Sequence, residues 1–376
     1  MTRSPVAVEL DWPQVHAFRL QRHHLTGRAP RQDLARVVGE IGGVQAQVMS
    51  AAELQIAVRA ACTVHDVRDA LWQDRTLVKT WLMRGTLHLT RASDLPVFTA
   101  AMGRHWIRVR PSWLKFMGIS ETELWELVDD IGAALDGTPL TREELIAVVG
   151  KKRSEHIRTV LRSGWGGMLK PAARNGRLCF GPSRGQSVTF VSPREWLDDW
   201  HEVDPDSAIV EMARRYLRVY GPSTMNDFAR WWGAWPGVGK AAWKRLESEL
   251  LTVSVAGTRL DALKEDVAAM RSATIAEQVR LLPLFDPYLM GYARRDHMLD
   301  RAHAARVSRT AGWISAVVLV EGKVAATWTH TLVGKRLRIT ISPFSRLPAR
   351  VTAQARERGA EIAKALGATK VEVAVA

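Results

Sequence analysis

One order of elements occurs three times along the 376 residues, and it limits the folds open to the chain more than any other feature. In its clearest copy, the amphipathic segment "DSAIVEMARRYLRVY" leads through a Gly-Pro turn into "STMNDFARWWG", for which Ser223 is the expected N-cap. The helical segment "VGKAAWKRLESEL" follows, and then "LTVSVAGTRLDAL" alternates as two strands around Gly257. Helices followed by a strand pair are typical of the winged form of the helix-turn-helix.

The other two copies share this order but little sequence identity, so the repeat depends on the pattern of elements. In the first copy, Gly42-Gly43 ends a helix and Ser50 begins the next, with Glu53 at capping-box spacing. The segment "HDVRDALWQDRTLVKTWLMR" is predicted as a further helix, followed by the strand "GTLHLT". In the second copy, Thr141 and Glu144 repeat the capping-box spacing, and "RLCFGPSRGQSVTFV" is a predicted strand pair.

The pattern changes after about residue 275. Three strands are predicted in "GWISAVVLVEGKVAATWTHTLVGKRLRITISPF", joined by hairpin turns at Glu321-Gly322 and Gly334-Lys335. A basic amphipathic helix and a closing strand, "ATKVEVAVA", complete the chain. We therefore predict an α+β fold with three tandem winged-helix (helix-turn-helix) units and a small β-barrel-like α+β domain. The predicted boundaries are 1–98, 99–198 and 199–274 for the three units and 275–376 for the last domain.

The charge balance indicates an anionic partner. Lys plus Arg number 53 against 39 Asp plus Glu, giving a net charge of +14, and most of the cations are arginines. Arginine suits bidentate phosphate contacts, so nucleic acid is the first candidate partner. An anionic membrane surface or an acidic protein is the second, and a basic surface without function remains an alternative.

The cysteine content and the lack of long apolar runs argue against a disulfide-rich, secreted or membrane protein. Cys62 and Cys179 are the only cysteines and are flanked by apolar residues, which favours buried thiols in a reducing compartment. The start "MTRSPVAVELDW" lacks the apolar run of a signal peptide, and no 18-residue window is uninterruptedly apolar. We therefore expect a cytoplasmic protein without a membrane span.

The segment "GGVQAQVMSAAE" holds the most informative polar residues. Because it lies between two predicted helices, residues 44–48 are expected to be extended, which would project Gln45 and Gln47 to the same side. Each amide offers one carbonyl acceptor and two N–H donors. Two such groups can orient a water molecule or place carbonyl dipoles near a developing positive charge. The alternative is structural, with both amides capping the helix or bonding the turn backbone.

At this point the chain resembles a known family. "GGVQAQ", "TWLMRGTLHL", "YGPSTMNDFARWWG" and "LLPLFDPYLMGY" occur in the same order in winged-helix DNA glycosylases of the AlkZ/YcaQ type, and the Gln-x-Gln triplet is similar to that of the AlkZ branch. The resemblance implies a monomeric, nucleoid-associated enzyme that encloses double-stranded DNA. It further implies excision of bulky N7-alkylguanine, including unhooking of interstrand crosslinks, with no metal and no cofactor. Gln45 and Gln47 would be catalytic.

The chemistry of the lesion agrees with this pair. Neither amide is a strong base, and the triplet holds no aspartate or lysine nucleophile. N7-alkylguanine carries a positive charge on the base and is already primed to leave. Modest positioning and electrostatic effects, each on the order of 2–4 kcal/mol, then suffice.

Basic residues in two regions are candidate DNA contacts, although a run of charges is more often a solvated face. One region surrounds the predicted recognition helix of the second unit, and the other follows Asp286-Pro287, where a minor-groove hairpin is expected near residues 300–312. Arg84, ahead of a wing strand, is a further candidate. The predicted contacts are Arg84, Lys151, Lys152, Arg153, Arg158, Arg294, Arg295, Arg301, Arg306 and Arg309.

Other interpretations of individual residues are weaker. His297, Asp300 and His303 lack the compact spacing of a metal site, Asp286 is expected to cap a turn, and His88 is expected to be structural. Most tryptophans, including Trp72, Trp81, Trp231, Trp232 and Trp235, are expected in the core. As alternatives for the whole chain we consider a non-catalytic winged-helix regulator, and an anionic-membrane or protein-binding scaffold.

Overall fold

The computed structural model describes residues 8–103, 105–107, 109–164, 166–276 and 278–376, with the side chain of Lys152 outside the description. Within these ranges the chain forms three three-stranded sheets and one five-stranded sheet, surrounded by helices. The predicted α+β class is confirmed. No helix in these ranges has both the length and the apolar content needed to cross a membrane.

The first sheet follows the predicted order of elements. The elements are β1 Val8–Leu10, α1 Trp12–Arg22, α2 Leu34–Glu40, β2 Val44–Gln45, α3 Met49–Ala57, α4 Val64–Trp72, β3 Leu77–Trp81, β4 Leu87–Arg91 and α5 Leu95–Met102. Strand β4 pairs antiparallel with both β2 and β3. The Gly42-Gly43 stop is confirmed: both residues have positive φ, 77° and 89°, and the Gly43 N–H donates to the Val38 carbonyl at 2.9 Å.

Two predictions in this part are wrong. The helix predicted through Trp81 ends at Trp72, and Leu77–Trp81 is the strand β3, because pairing with β4 and the β-branched Val78 and Thr80 outweigh the helical spacing. The capping box at Ser50 does not form. Helix α3 begins at Met49 without a side-chain cap, and Glu53 is buried, where its Oε1 accepts from Arg68 Nε at 2.6 Å.

The second sheet has the same topology. Its region comprises α6 Pro111–Met117, α7 Glu121–Ala134, β5 Leu140–Thr141, α8 Arg142–Val149, α9 Glu155–Arg162, α10 Leu169–Arg174, β6 Cys179–Arg184, β7 Ser187–Val191 and α11 Pro193–Trp196. The strand that precedes α8 pairs with the second strand of the hairpin, giving the order β5-β7-β6. The capping box is confirmed, since Thr141 Oγ1 accepts from the Glu144 N–H and Glu144 Oε2 accepts from the Thr141 N–H.

The third sheet combines a hairpin with the N-terminus. Its region comprises α12 Pro205–Tyr220, α13 Met225–Trp232, α14 Pro236–Leu246, β8 Leu250–Val255, β9 Thr258–Leu263 and α15 Lys264–Ser272. A bridge between Ser223 and Asp261 occupies the place of the first strand. The N-cap of α13 is Thr224 rather than the predicted Ser223, because the Ser223 hydroxyl is engaged with the hydroxyl of Tyr216 at 2.8 Å.

Packing moves two of the predicted boundaries. Strand β1 pairs in parallel with β8, and Val15 and Phe18 of α1 share a core with Val253 and Val267. Residues 8–22 therefore pack with the 199–274 region rather than with the first unit. Helix α5 crosses the predicted boundary at residue 98 because it packs along α12.

The last region is an open sheet covered by a helix. It comprises β10 Val279–Leu282, α16 Pro287–Met290, α17 Ala304–Val307, β11 Val317–Val320, β12 Lys323–Val333, β13 Arg336–Pro343, α18 Ala349–Ala365 and β14 Lys370–Val375. Both predicted hairpin turns are confirmed. The domain is an open sheet rather than a barrel: within the described residues β10 and β14 are the opposite edges of the order β10-β11-β12-β13-β14, and α18 packs against both.

A shared aromatic core fixes the third sheet's helices against the C-terminal region. Tyr216, Tyr220, Phe228, Trp231 and Tyr288 belong to one buried cluster. The prediction of core tryptophans is confirmed for Trp81, Trp231 and Trp232, whereas Trp72 is half-buried and Trp235 is 48% exposed. The end of α13, which carries Trp231 and Trp232, contacts the turn before β4, and this contact positions the candidate site.

Candidate active site

The two glutamines lie in and directly after the short strand β2. Gln45 pairs with His88 of β4, and the Ala46 N–H donates to the Leu87 carbonyl at 2.7 Å, so the segment is extended as predicted. Val44 and Ala46 are buried. Gln45 is 8% exposed, while Gln47 lies at the surface. The pair therefore spans the edge of the core, with one amide inside and one in solvent.

Both side-chain carbonyls contact the segment that leads into β4. Gln45 Oε1 accepts from Arg84 Nη2 at 3.4 Å, and Gln47 Oε1 accepts from the Leu87 N–H at 3.3 Å. The hydrogen bond between Gln47 and the backbone N–H of Leu87 is the kind of contact expected if the glutamines have a structural role. Each carbonyl retains a second lone pair, and neither Nε2 has a hydrogen-bond partner among the described residues. The free donors and acceptors are those that a water molecule or substrate would use.

Arg84 is held rigidly beside Gln45. It lies in the turn Met83–Gly85 with φ 56°, and its Nη1 donates to the Trp231 carbonyl at 2.6 Å. Gly233, at φ 79°, allows the close approach, since a Cβ there would lie 2.6 Å from Arg84 Cα. Burial lowers the pKa of Arg84 to about 10, so the side chain is still charged at neutral pH. Its two acceptors are neutral oxygens.

His88 is a buried neutral side chain, as predicted. It pairs with Gln45 across the sheet and its Nδ1 lies 2.9 Å from the Thr86 carbonyl. Burial, with smaller effects of Arg84 and Arg174, lowers the pKa of His88 to about 3. An imidazole that is unprotonated at neutral pH cannot act as a general acid, so the site offers amides and cations only.

The buried histidines predict acid sensitivity of the fold. Burial lowers the pKa of His88 and His16 to about 3 and that of His297 to about 2, against about 6.5 when unfolded. Because the unfolded chain then binds more protons, stability is full above pH 6.5 and falls as the pH drops, by about 1.4 kcal/mol per pH unit for each histidine. Urea unfolding of wild type and His88→Gln between pH 7.5 and 5 measures this. The unfolding free energy of His88→Gln should depend less steeply on pH than that of the wild type, by about 1.4 kcal/mol per pH unit. Identical slopes for the two proteins would contradict the low pKa of His88.

A buried network connects Gln45 to the C-terminal region. Gln55 Nε2 donates to the Leu284 carbonyl at 2.7 Å and to the Gln45 carbonyl at 3.4 Å. Arg59 binds Asp286 through two bonds of 2.6 and 2.8 Å, and both side chains are 0% exposed. Asp286 also caps α16 by accepting from the Tyr288 N–H, which confirms its predicted role. Neither Gln55 nor Arg59 was predicted from the sequence, because their partners are distant in the chain.

Two clefts are lined by residues near the glutamine pair, one through Ser50 and the other through Gly233. One, of about 540 Å³, is lined by Ser50 at the start of α3, by Leu284 and by Trp313, with Arg309 and His330 at its side. The other, of about 620 Å³, is lined by Trp232, Gly233 and Trp235, together with Arg110 and Arg174. Because Gly233 contacts Arg84, this second cleft reaches the turn beside Gln45. Gln47 is thus accessible from solvent, whereas Gln45 is only 8% exposed.

The predicted DNA contacts in the second unit are largely neutralised. Arg153 pairs with Asp130 at 2.6 Å, and Arg158 pairs with Glu155 at 2.7 Å. Lys151 is exposed, and the side chain of Lys152 lies outside the described residues. Arg158 follows Glu155 at helical spacing, whereas Asp130 of α7 precedes Arg153 by 23 positions, so both arginines have partners within the protein.

The predicted contacts after Asp286 divide in the same way. Arg295 donates to the Leu289 carbonyl and to Ser308 Oγ, Arg301 pairs with Asp296, and Arg306 lies 4.5 Å from the centre of the Phe344 ring. Arg294 and Arg309 are exposed and form no ion pair with another described residue. The described side chains of this group do not meet those of residues 151–158, and of the nine candidates whose side chains the structure describes only Arg84 contacts a catalytic candidate.

The hairpin predicted near residues 300–312 is displaced. Residues 301–307 form helical turns, and a tight hairpin follows, closed by the bridge between Ser308 and Ile314 with partly exposed Trp313 near its tip. A longer hairpin, β12–β13, exposes Val333 to 70% at its turn. The chain therefore presents two hairpins near the cleft that contains Ser50.

The residues weighed as metal ligands have other partners. His297 stacks on Trp12 at 4.2 Å, His303 stacks on Phe344 at 4.3 Å, and Asp300 accepts from the Ala302 N–H. Within the described ranges, no three His, Cys, Asp or Glu side chains form a group that could hold a metal ion.

Comparison with known proteins gives consistent matches over nearly the full chain. Residues 38–369 match the family model of AlkZ-like DNA glycosylases. The chain is 36% identical over 377 residues to an interstrand DNA cross-link repair glycosylase of Streptomyces sahachiroi, covering 98% of this chain and 100% of the relative. The solved structure of Streptomyces sahachiroi DNA glycosylase AlkZ matches with a TM-score of 0.89 at 35% identity, covering 98% of this chain and 100% of that chain.

Proposed function

This chain belongs to the AlkZ-like family of DNA glycosylases and is a DNA glycosylase, and from its site we propose that it excises bulky, positively charged N7-alkylguanine bases, with Gln45 and Gln47 as the catalytic residues. The predicted alternatives, a regulator and a membrane or protein scaffold, are not retained because the family is that of an enzyme acting on DNA. DNA repair is the corresponding role.

The observation that supports the catalytic pair is its set of free hydrogen-bonding groups. Arg84 and the Leu87 N–H each occupy one lone pair of a glutamine carbonyl, which fixes the orientation of both amides. The remaining lone pairs can accept the protons of one water molecule and hold its oxygen toward the sugar carbon of the lesion. Each oriented amide contributes about 2–4 kcal/mol to such a transition state.

The absence of a strong acid or base among the nearby described groups favours a cationic substrate. Arg59 binds both carboxylate oxygens of the buried Asp286, and His88 is neutral, so neither side chain is available as an acid for the leaving base. A guanine alkylated at N7 departs as a neutral base without being protonated. The lesion itself therefore supplies the activation that the protein lacks.

The exposure of Gln47 supports action on crosslinked bases. A base tied to the opposite strand cannot rotate into a closed pocket, as enzymes that flip their target require. Gln47 lies at the surface, so a base that stays near the duplex can reach it. The Streptomyces relative is an interstrand cross-link repair glycosylase, and we extend unhooking to this chain.

At the level of domains, the three-stranded sheets are interpreted as tandem winged helices. In each, the strand or bridge before a helix pairs with the second hairpin strand, giving the orders β2-β4-β3, β5-β7-β6 and Ser223-β9-β8. We keep the approximate units 1–98, 99–198 and 199–274 and the domain 275–376, with residues 8–22 reassigned to the third unit. A monomer with three such units can enclose duplex DNA at the nucleoid without a cofactor.

Excision from duplexes of graded lesion size tests the proposal. Purified protein is incubated with duplexes that carry N7-methylguanine, a bulky N7-alkylguanine or an N7–N7 interstrand crosslink, and abasic sites are scored after strand cleavage. We expect abasic sites from all three, and separated strands from the crosslink. Binding of all three duplexes without any abasic site would contradict the proposal, and an undamaged duplex is the control.

A further inference from the structure

Two cations of the second unit converge on the turn that carries Arg84, and neither was predicted from the sequence. A Cβ built on Gly85 would lie 3.4 Å from Arg174 Nη2 and 3.7 Å from Lys170 Cδ. Both side chains come from α10, one helical turn apart. Gly85 is the residue after Arg84, so three cationic side chains surround one turn.

None of the three has an anionic partner among the described residues. Arg174 donates only to the Leu82 carbonyl, at 3.4 Å, and its Nε is buried without a partner. Arg84 binds two neutral oxygens. Lys170 forms no ion pair with any residue that the structure describes. Burial lowers the pKa of all three side chains, and Arg174 also contributes to the lowering for Lys170. Unpaired buried charges are costly, so such a cluster calls for an anion.

The cluster is open to solvent on one side. Arg174 lines the cleft of about 620 Å³ together with Arg110, and none of the residues that line this cleft is an aspartate or glutamate. Elsewhere in the protein, arginines are commonly paired with carboxylates, as Arg153 is with Asp130. The three cations beside Gln45 lack such a carboxylate partner among the described residues.

We propose that Arg174 and Lys170, with Arg84, form a binding site for one backbone phosphate of the DNA strand that carries the lesion. A guanidinium and an ammonium on one side of a phosphodiester provide the charge-assisted bonds that such a group prefers. Because Arg84 also binds Gln45, this contact fixes the distance between the strand and the catalytic pair. The proposal relies on the proposed function only for the position of the lesion at Gln45 and Gln47.

Binding to a lesion duplex that resists cleavage tests the site. The duplex carries N7-methylguanine on a 2′-fluorinated sugar, which destabilises the cationic transition state, and affinity is measured from 50 to 200 mM salt. Each lost phosphate contact should reduce the slope of log K against log salt by about 0.9. We expect this reduction for Lys170→Gln, which removes a half-exposed side chain. Lys264→Gln, whose Nζ binds the Ser248 carbonyl, is the matched control and should leave the slope unchanged.

A methylphosphonate scan then locates the phosphate. Neutralising one phosphate at a time in the lesion strand should identify one position at which the wild type loses affinity. At that position Lys170→Gln should lose no further affinity, because the variant already lacks the contact. Arg174→Lys keeps the charge but not the guanidinium geometry. We therefore expect neutralisation of that same phosphate to reduce the affinity of Arg174→Lys less than it reduces that of the wild type. An unchanged salt slope in Lys170→Gln, or additive losses at every position, would overturn the proposal. Because the duplex is not cleaved, the result does not depend on catalysis by the glutamines.

Discussion

Alanine at Gln47 is expected to lower the single-turnover rate of N7-alkylguanine excision on the order of 10²- to 10³-fold, with DNA affinity and unfolding free energy unchanged. Gln47 lies at the surface, and its only hydrogen bond among the described residues joins Oε1 to the Leu87 N–H, so the fold does not depend on it. Rates with saturating enzyme, an anisotropy titration and urea unfolding provide the three measurements. A comparable loss of affinity or stability would indicate a structural amide.

The catalytic effect of substituting Gln45 has to be separated from an effect on stability, because the Gln45 side chain also binds Arg84. Gln45→Ala leaves Arg84 Nη2 without its acceptor, which should cost about 1–3 kcal/mol of stability in addition to the catalytic loss. Gln47→Glu retains an acceptor for the Leu87 N–H and for water, so it should retain most of the excision rate. Full excision by the Gln45→Ala/Gln47→Ala double variant would remove the catalytic assignment.

Asp286→Ala is expected to destabilise the protein by about 3–5 kcal/mol, because it leaves the charge of Arg59 buried and unpaired. The pair joins Arg59, just after the end of α3, to Asp286, which is 227 positions away in sequence, and both side chains are completely buried. The loss should appear as a lower urea midpoint with an unchanged slope.

The Asp286→Ala result also separates a structural from a catalytic carboxylate. Below the unfolding transition, the remaining folded Asp286→Ala protein should excise lesions at near the wild-type rate. The double variant Arg59→Met/Asp286→Leu, which replaces the pair by apolar groups, should recover much of the lost stability. A fully stable Asp286→Asn protein without excision would instead place Asp286 in the reaction.

Local features of the fold were predictable because local residues determine them. Gly42-Gly43 ended a helix, the hairpin turns at Gly322 and Gly334 had the expected residues, and the extended segment containing Gln45 followed from its place between two helices. The helix predicted through Trp81 failed because strand pairing with β4, a tertiary interaction, overrode the apolar spacing.

The supporting residues of the site were not predictable because their partners are distant. Gln55 of α3 and Arg59 just after it look like ordinary residues in the sequence, and their roles depend on Leu284 and Asp286. The role of Arg174 depends on the contact between α10 and Gly85, which the sequence does not show. Conversely, Arg153, Arg158 and Arg301 looked like free cations until the structure placed carboxylates beside them.

Comparison of two lesions of equal bulk tests most directly whether the charge of the leaving base replaces a protein acid. Mild alkali opens the imidazole ring of an N7-alkylguanine and removes its positive charge while the alkyl group stays in place. Duplexes with the intact and the ring-opened base are compared in single-turnover excision with wild-type protein. We predict rapid release of the cationic base and release of the neutral one slower by at least about 10², the equivalent of roughly 3 kcal/mol. Equal rates for the two bases would contradict catalysis by Gln45 and Gln47 as neutral amides.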